Sequence, residues 1–165
     1  MISKKICMLG GFAVGKTSLV ARFVHSIFSD KYLSSVGVRV DKKDVRVGDV
    51  DVTLMLWDIY GQDDFQKVRM SYLRGSSGYL LVVDGTRKAT LDMAQKLLTA
   101  AEESFGKVPF VLVLNKSDLA ESWELDEAEL SRLEAQGWTI VRTSAKTGAA
   151  VEDTFIELAR RTVGG

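Results

Sequence analysis

The sequence is poor in proline, cysteine and histidine, with one of each (Pro109, Cys7 and His25) in 165 residues. A lone cysteine cannot close an internal disulfide, which excludes a small disulfide-built module and fits a reducing cytosol. With one proline and no low-complexity stretch, the chain has no linker and no repeat. His25 falls late in a helical pattern and reads as a helix-surface residue. There is no excess charge: Lys and Arg total 22, Asp and Glu total 22, and the formal net charge is zero. A general nucleic-acid binder needs a basic footprint, so no nucleic-acid partner is expected. Long apolar runs are missing too. The longest, such as Tyr79–Val83 and Phe110–Leu114, have the length of strands, far below the roughly 20 residues of a membrane span. Met1–Lys5 leads straight into a strand pattern instead of a signal-peptide core. No cysteine stands at Thr162-Val163-Gly164-Gly165, so no prenylation box is found there. These absences lead us to expect a cytoplasmic protein with no direct membrane anchor in these residues. Membrane recruitment would come only through partners or a tail beyond them.

What is present is the make-up of one ordinary globular domain, residues 1–165, with 46% hydrophobic and 27% charged residues. A chain of this length buries ~70% of its unfolded surface and folds without staples. Ile6-Cys7-Met8-Leu9 reads as a buried strand ending in glycines. Leu19, Val20, Phe23, Val24 and Ile27 follow at helical spacing. Val36, Val38 and Val40 alternate as in a strand. Val45–Val47 and Val50–Trp57 flank Gly48-Asp49, which predicts a hairpin. Phe65–Leu73 suits a short helix. Tyr79–Val83 and Phe110–Leu114 read as strands buried on both faces. Between them Leu91, Ala94, Leu97, Leu98, Ala101 and Phe105 make one helical stripe. Asp126–Ala135 is a charged helix ended by Gly137. Thr139–Val141 is the last strand, and Val151, Phe155, Leu158 and Ala159 mark the last helix. The pattern predicts an α/β fold: a six-stranded, mostly parallel sheet with one antiparallel edge strand and helices on both faces. Ligands of such sheets bind at the carboxyl ends of the strands, so chemistry should follow the apolar runs.

It does. Gly10-Gly11-Phe12-Ala13-Val14-Gly15-Lys16-Thr17 matches G-x-x-x-x-G-K-[ST] between a strand and a helix. Backbone N–H groups from Gly11 to Ser18 can ring phosphate oxygens, aided by the positive end of the helix. Lys16 would neutralise the β- and γ-phosphates, and the Thr17 hydroxyl would bind Mg²⁺. Asp58-Ile59-Tyr60-Gly61-Gln62 follows the next strand. Asp58 can hold the metal through a water, the Gly61 N–H can meet the γ-phosphate, and Gln62 can orient the attacking water. D-x-x-G alone is common in turns and gains meaning only after a phosphate loop. Asn115-Lys116-Ser117-Asp118, with Leu119 beside it, closes the Phe110–Leu114 strand. The Asp118 carboxylate can accept hydrogen bonds from guanine N1–H and its 2-amino group, a donor pair adenine lacks. Lys116 can lay its alkyl stem along the base, and Asn115 can brace neighbouring loops. Thr143-Ser144-Ala145-Lys146 follows the last strand, where small residues let a backbone N–H approach guanine O6. Alone, that stretch reads as a simple strand-to-helix turn.

The four motifs, in this order, resemble a small Ras-superfamily GTPase, nearest the Rab, Ras and Rho branches. The likeness runs from Lys4 to about Thr162. It implies a P-loop G domain that binds GTP or GDP with Mg²⁺ and acts as a molecular switch. Trp57 also fits, since a tryptophan commonly precedes the switch aspartate. By resemblance, Phe28 is the aromatic covering the guanine edge, and Ser35 stands where the family has its second Mg²⁺-binding hydroxyl. Serine lacks threonine's packing methyl, which implies a looser closed switch. The resemblance also implies exchange factors and GTPase-activating proteins as partners, and effectors reading residues 30–40 and 59–74. Two positions depart from the pattern. Phe12 and Tyr60 stand where the family usually carries small residues near the γ-phosphate. They leave open a GTP-binding scaffold with little hydrolysis. A small-molecule phosphotransferase would need a lid and an acceptor pocket, and no insertion supplies them.

Overall fold

The computed structural model describes residues 2–10, 14–25, 37–60 and 71–164. Among them, six strands form one sheet. These are β1 (Ile2–Leu9), β2 (Gly37–Val47), β3 (Val50–Tyr60), β4 (Gly78–Asp84), β5 (Phe110–Asn115) and β6 (Ile140–Arg142). They lie in the order β2-β3-β1-β4-β5-β6. Only β2 runs antiparallel to its neighbour. Val47 pairs with Val50, which leaves Gly48-Asp49 as a two-residue hairpin turn.

Four α-helices are described: α1 (Lys16–His25), α2 (Ala89–Phe105), α3 (Glu127–Ala135) and α4 (Val151–Gly164). Strand alternation sends successive side chains to opposite faces, so the sheet carries two cores. Ile6, Met8, Leu80, Val82, Val111 and Val113 face α1 and α4, where Phe23 and Phe155 stack at 4.2 Å. Burying each ring contributes about 2 kcal/mol. Cys7, Leu9, Tyr79, Leu81, Val83 and Leu112 face the opposite way, onto the stripes of α2 and α3. β4 is buried along its whole length, as expected of an interior parallel strand covered on both sides. α3 starts where the Asp126 carboxylate accepts the Ala128 N–H at 2.9 Å. No helix of the described residues is long and apolar enough to cross a membrane.

Two local expectations shift. The last strand is Ile140–Arg142, one residue later than the apolar pattern suggests, because its register with β5 begins at Ile140 opposite Leu112. Of the helix expected over Phe65–Leu73, only Ser71–Leu73 is described, as a single 3-10 turn. Ile27 and Val36 lie outside the described residues. The parallel strands bring Leu9, Tyr60, Asp84, Asn115 and Arg142 to one edge of the sheet, where the motif loops begin.

Candidate functional site

The phosphate-loop motif leaves the centre of the sheet. Val14 is buried, and Gly15 follows at φ +105°, a left-handed conformation suited to glycine. A Cβ on Gly15 would also lie 2.2 Å from Asn115 Nδ2, so both space and backbone demand glycine. α1 then begins, with Leu19 N–H bonded to the Gly15 carbonyl at 2.9 Å. Lys16 is only 8% exposed, and its Nζ reaches back to the Gly10 carbonyl at 3.3 Å. Burial pulls its ammonium below the ordinary lysine range, and the charge of Asp58 opposes that pull. Asp58 is 0% exposed and lies opposite Met8 in the β1–β3 register, beside the root of the loop. A desolvated lysine and a buried carboxylate thus flank the start of a helix, a place suited to an anion and its counter-cation.

The other half of the site is built on Asn115. This buried side chain donates through Nδ2 to the Val14 carbonyl at 3.0 Å. Its Oδ1 accepts Ala145 N–H at 3.2 Å and Thr143 Oγ1 at 3.3 Å. One amide therefore ties the phosphate loop to the Thr143–Lys146 loop. The Ala145 N–H is thereby already engaged with Asn115. Ser144, also buried, donates its hydroxyl to Asp118 Oδ1 at 2.7 Å and accepts Thr147 N–H at 3.1 Å. That bond aims an exposed carboxylate across the loop. Leu119, at 46% exposure, and Lys146 are exposed as well. The structure thus brings together Val14, Gly15, Lys16, Ser18, Asp58, Asn115, Lys116, Asp118, Leu119, Ser144, Ala145 and Lys146 at one sheet edge. Gly11, Phe12, Ala13, Phe28, Ser35, Gly61 and Gln62 lie outside the described residues, as do the side chains of Thr17 and Tyr60.

A model of the Ras family matches residues 5–163. The chain belongs to the Ras family. Rab-type members are among its relatives. The Ras-related protein RABA6b of Arabidopsis thaliana is 36% identical over 159 residues, which span 95% of this chain and 69% of the relative. Rab-4 of Dictyostelium discoideum is 34% identical over 158 residues, 94% of this chain and 77% of its own. Human Rab-4A is 34% identical over 159 residues, 95% and 73%. Membership carries the general character of a small GTPase switch that binds guanine nucleotide.

Three contacts in this Ras-family chain escape the motifs. Arg22 of α1 donates through Nε to the Ala145 carbonyl at 2.9 Å and through Nη2 to the Lys146 carbonyl. Trp123 donates Nε1–H to the Lys116 carbonyl at 2.9 Å. Asp84, at the end of β4, is 1% exposed and accepts from Lys116 Nζ at 2.7 Å and Arg87 Nε at 3.0 Å. Thr86 donates to it through both N–H and hydroxyl, at 2.9 and 2.6 Å. The available signal was an apolar run closed by a carboxylate at a parallel strand's end.

Burial pushes the Asp84 carboxyl up, but Lys116, Thr86 and Arg87 outweigh it and hold the group at about 2. Its pKa is depressed on folding, so its stabilisation is present above the unfolded value of 3.8 and lost as pH falls towards about 2. Denaturant titrations from pH 5 down to pH 2 should show this loss, on the order of 2 kcal/mol. Asp84→Asn should remove that share of the slope. An unchanged slope would contradict the assignment.

Proposed function

We propose that the chain is a guanine-nucleotide switch that hydrolyses GTP to GDP and phosphate. The supporting observation is Asn115, whose single buried side chain bonds Val14 on the phosphate side and Ala145 on the base side. It fixes the spacing that a bound nucleotide spans. Asp118, aimed by Ser144, reads the guanine edge. Lys116 lies along the base, with Leu119 and Lys146 beside it, and Phe28 covers the guanine edge. Gly11–Ser18 and Lys16 receive the phosphates. Asp58 is a buried carboxylate beside the start of α1, and Thr17 and Ser35 add hydroxyls, a set of hard oxygens that fits Mg²⁺. Thr17 and Ser35 would hold the ion directly and Asp58 through water, and the chemistry supplied would be neutralisation of phosphate charge. Lys16 offsets the charge that develops on transfer, and Gln62 orients the attacking water. The Gly61 N–H meets the γ-phosphate.

Loss of that phosphate removes the contacts of Ser35 and Gly61. Segments 30–40 and 59–74 relax, and effectors reading them let go. Exchange factors reload the chain, and a GTPase-activating protein supplies an arginine, since the first switch segment, Tyr32–Val38, has none and Arg39 only follows it. The chain works as a monomer in the cytoplasm. A second reading, a GTP-gated scaffold with little hydrolysis, is favoured by Phe12 and Tyr60 in the sequence.

Mg²⁺-GTP-loaded protein should release up to one phosphate per chain in a single turnover. If the two rings crowd the γ-phosphate, Phe12→Gly and Tyr60→Ala should each raise that rate about tenfold or more, because misplacement of reacting groups is costly. Unchanged rates in both would remove the crowding argument. Tight GTP binding with no release in any of the three proteins would favour the scaffold.

A further inference from the structure

We propose that Asp84 and Trp123 are positioning residues for Lys116, and that they set how tightly the chain holds the base of its nucleotide. The inference rests on the guanine-nucleotide reading and extends it to residues outside the four motifs. Lys116 has φ +68°, in the left-handed region. A side-chain-bearing residue stays there only where its surroundings over-determine it. Here both ends of the lysine are fixed. Its carbonyl accepts Trp123 Nε1–H and Leu119 N–H, each at 2.9 Å. Its ammonium lies 2.7 Å from Asp84 Oδ2.

The two holders are themselves held. Asp84 Oδ1 takes the Thr86 N–H and hydroxyl, and Oδ2 takes Arg87 as well as Lys116. The Trp123 ring lies against Gly85, where a Cβ would sit 2.2 Å from ring Cε2, so only glycine admits the indole. Glu124 N–H also bonds the Gly85 carbonyl at 3.0 Å, fastening the tryptophan's segment to the end of β4.

The lysine's alkyl stem is therefore stretched between a pinned backbone and a buried carboxylate. Its bond to Asp84 must break before it can fold into the base site or swing out into water. Its side chain remains 33% exposed, which leaves one flank open to a ligand. A flat base laid on that flank meets a surface already ordered, so less rotamer entropy is lost on binding. A purely structural Asp84, which Lys116 also helps to hold, would change the stability of the fold without changing how fast a folded chain releases nucleotide. A positioning Asp84 acts through the lysine, and the two roles separate on that point.

The test follows release of a fluorescent GDP from the full chain. Asp84→Asn and Trp123→Phe should each speed release about tenfold, the loss of one well-made hydrogen bond. The ratio of GDP to IDP affinity should stay unchanged, because IDP lacks only the 2-amino group that Asp118 reads. In a Lys116→Met background, Asp84→Asn should add less than twofold. Full additivity in that background, or release within twofold of the unmodified chain for the folded single variants, would overturn the inference. Trp123→Phe keeps an aromatic ring while removing the indole N–H and part of the ring, and in folded protein it decides alone if Asp84→Asn does not fold. An unmodified chain that holds no GDP overturns the guanine reading, and this inference with it. Tight GDP binding with additive variants overturns the inference only.

Discussion

Asp118→Asn should cost the chain its hold on guanine and turn it towards xanthine. Guanine presents two adjacent donors, N1–H and the 2-amino group, and a carboxylate accepts both. An amide offers one acceptor oxygen and adds a donor pair, so one guanine donor is left facing N–H groups. Xanthine carries a carbonyl where guanine has the amino group and can accept from that amide. Asp118 is exposed to a ligand, while its Oδ1 is steered by Ser144 at 2.7 Å. Sites built to meet specific donors discriminate by about 10⁴. GDP affinity should therefore fall by about 10³ or more, and XDP should outcompete GDP in the variant. Competition binding of GDP, XDP and ADP to both proteins measures it. GDP affinity within tenfold of the unmodified chain would place base recognition elsewhere.

Lys16→Met should abolish phosphate recognition while leaving the fold. The methionine stem fills nearly the same space at the root of α1, and the helix bond from Leu19 to Gly15 is untouched. What disappears is an ammonium that is 8% exposed and already withdrawn from water. In such a site a charge-assisted contact is worth several kcal/mol, because neither partner competes with bulk solvent. That corresponds to about a 10³-fold loss for Mg²⁺-GDP and Mg²⁺-GTP alike. Titration calorimetry checks the loss, and circular dichroism checks the fold. Affinity within tenfold in a folded variant would mean that the backbone N–H ring carries the phosphates without the lysine.

The sheet was legible because β4 and β5 are apolar runs of strand length, rich in β-branched and aromatic residues, as an interior parallel strand requires. The hairpin was legible because its two strands meet across Gly48-Asp49. Motif positions followed from the strand ends, since a parallel sheet gathers its carboxyl ends on one edge. Arg22 was not legible: between Ala21 and Phe23 it looks like any helix-surface arginine, and its partners lie more than a hundred positions away. Asp84 and Trp123 escaped for the same reason. A strand-end carboxylate and an isolated tryptophan acquire their roles only when folding carries Lys116 between them. Periodicity reports which face a side chain takes, whereas the partner of a charge is set by the approach of distant segments. The late start of β6 belongs here too, since it is fixed by pairing with β5 and by no pattern of its own.

The central claim is that this site turns over GTP with a water held by Gln62. Phosphate release from Mg²⁺-GTP-loaded protein in a single turnover, without partners, tests it most directly. Slow but finite release is expected from the unmodified chain, reduced by about tenfold or more in Gln62→Leu with GTP still tightly bound. Equal release from both proteins, or none from the unmodified chain over hours despite tight GTP binding, would contradict it.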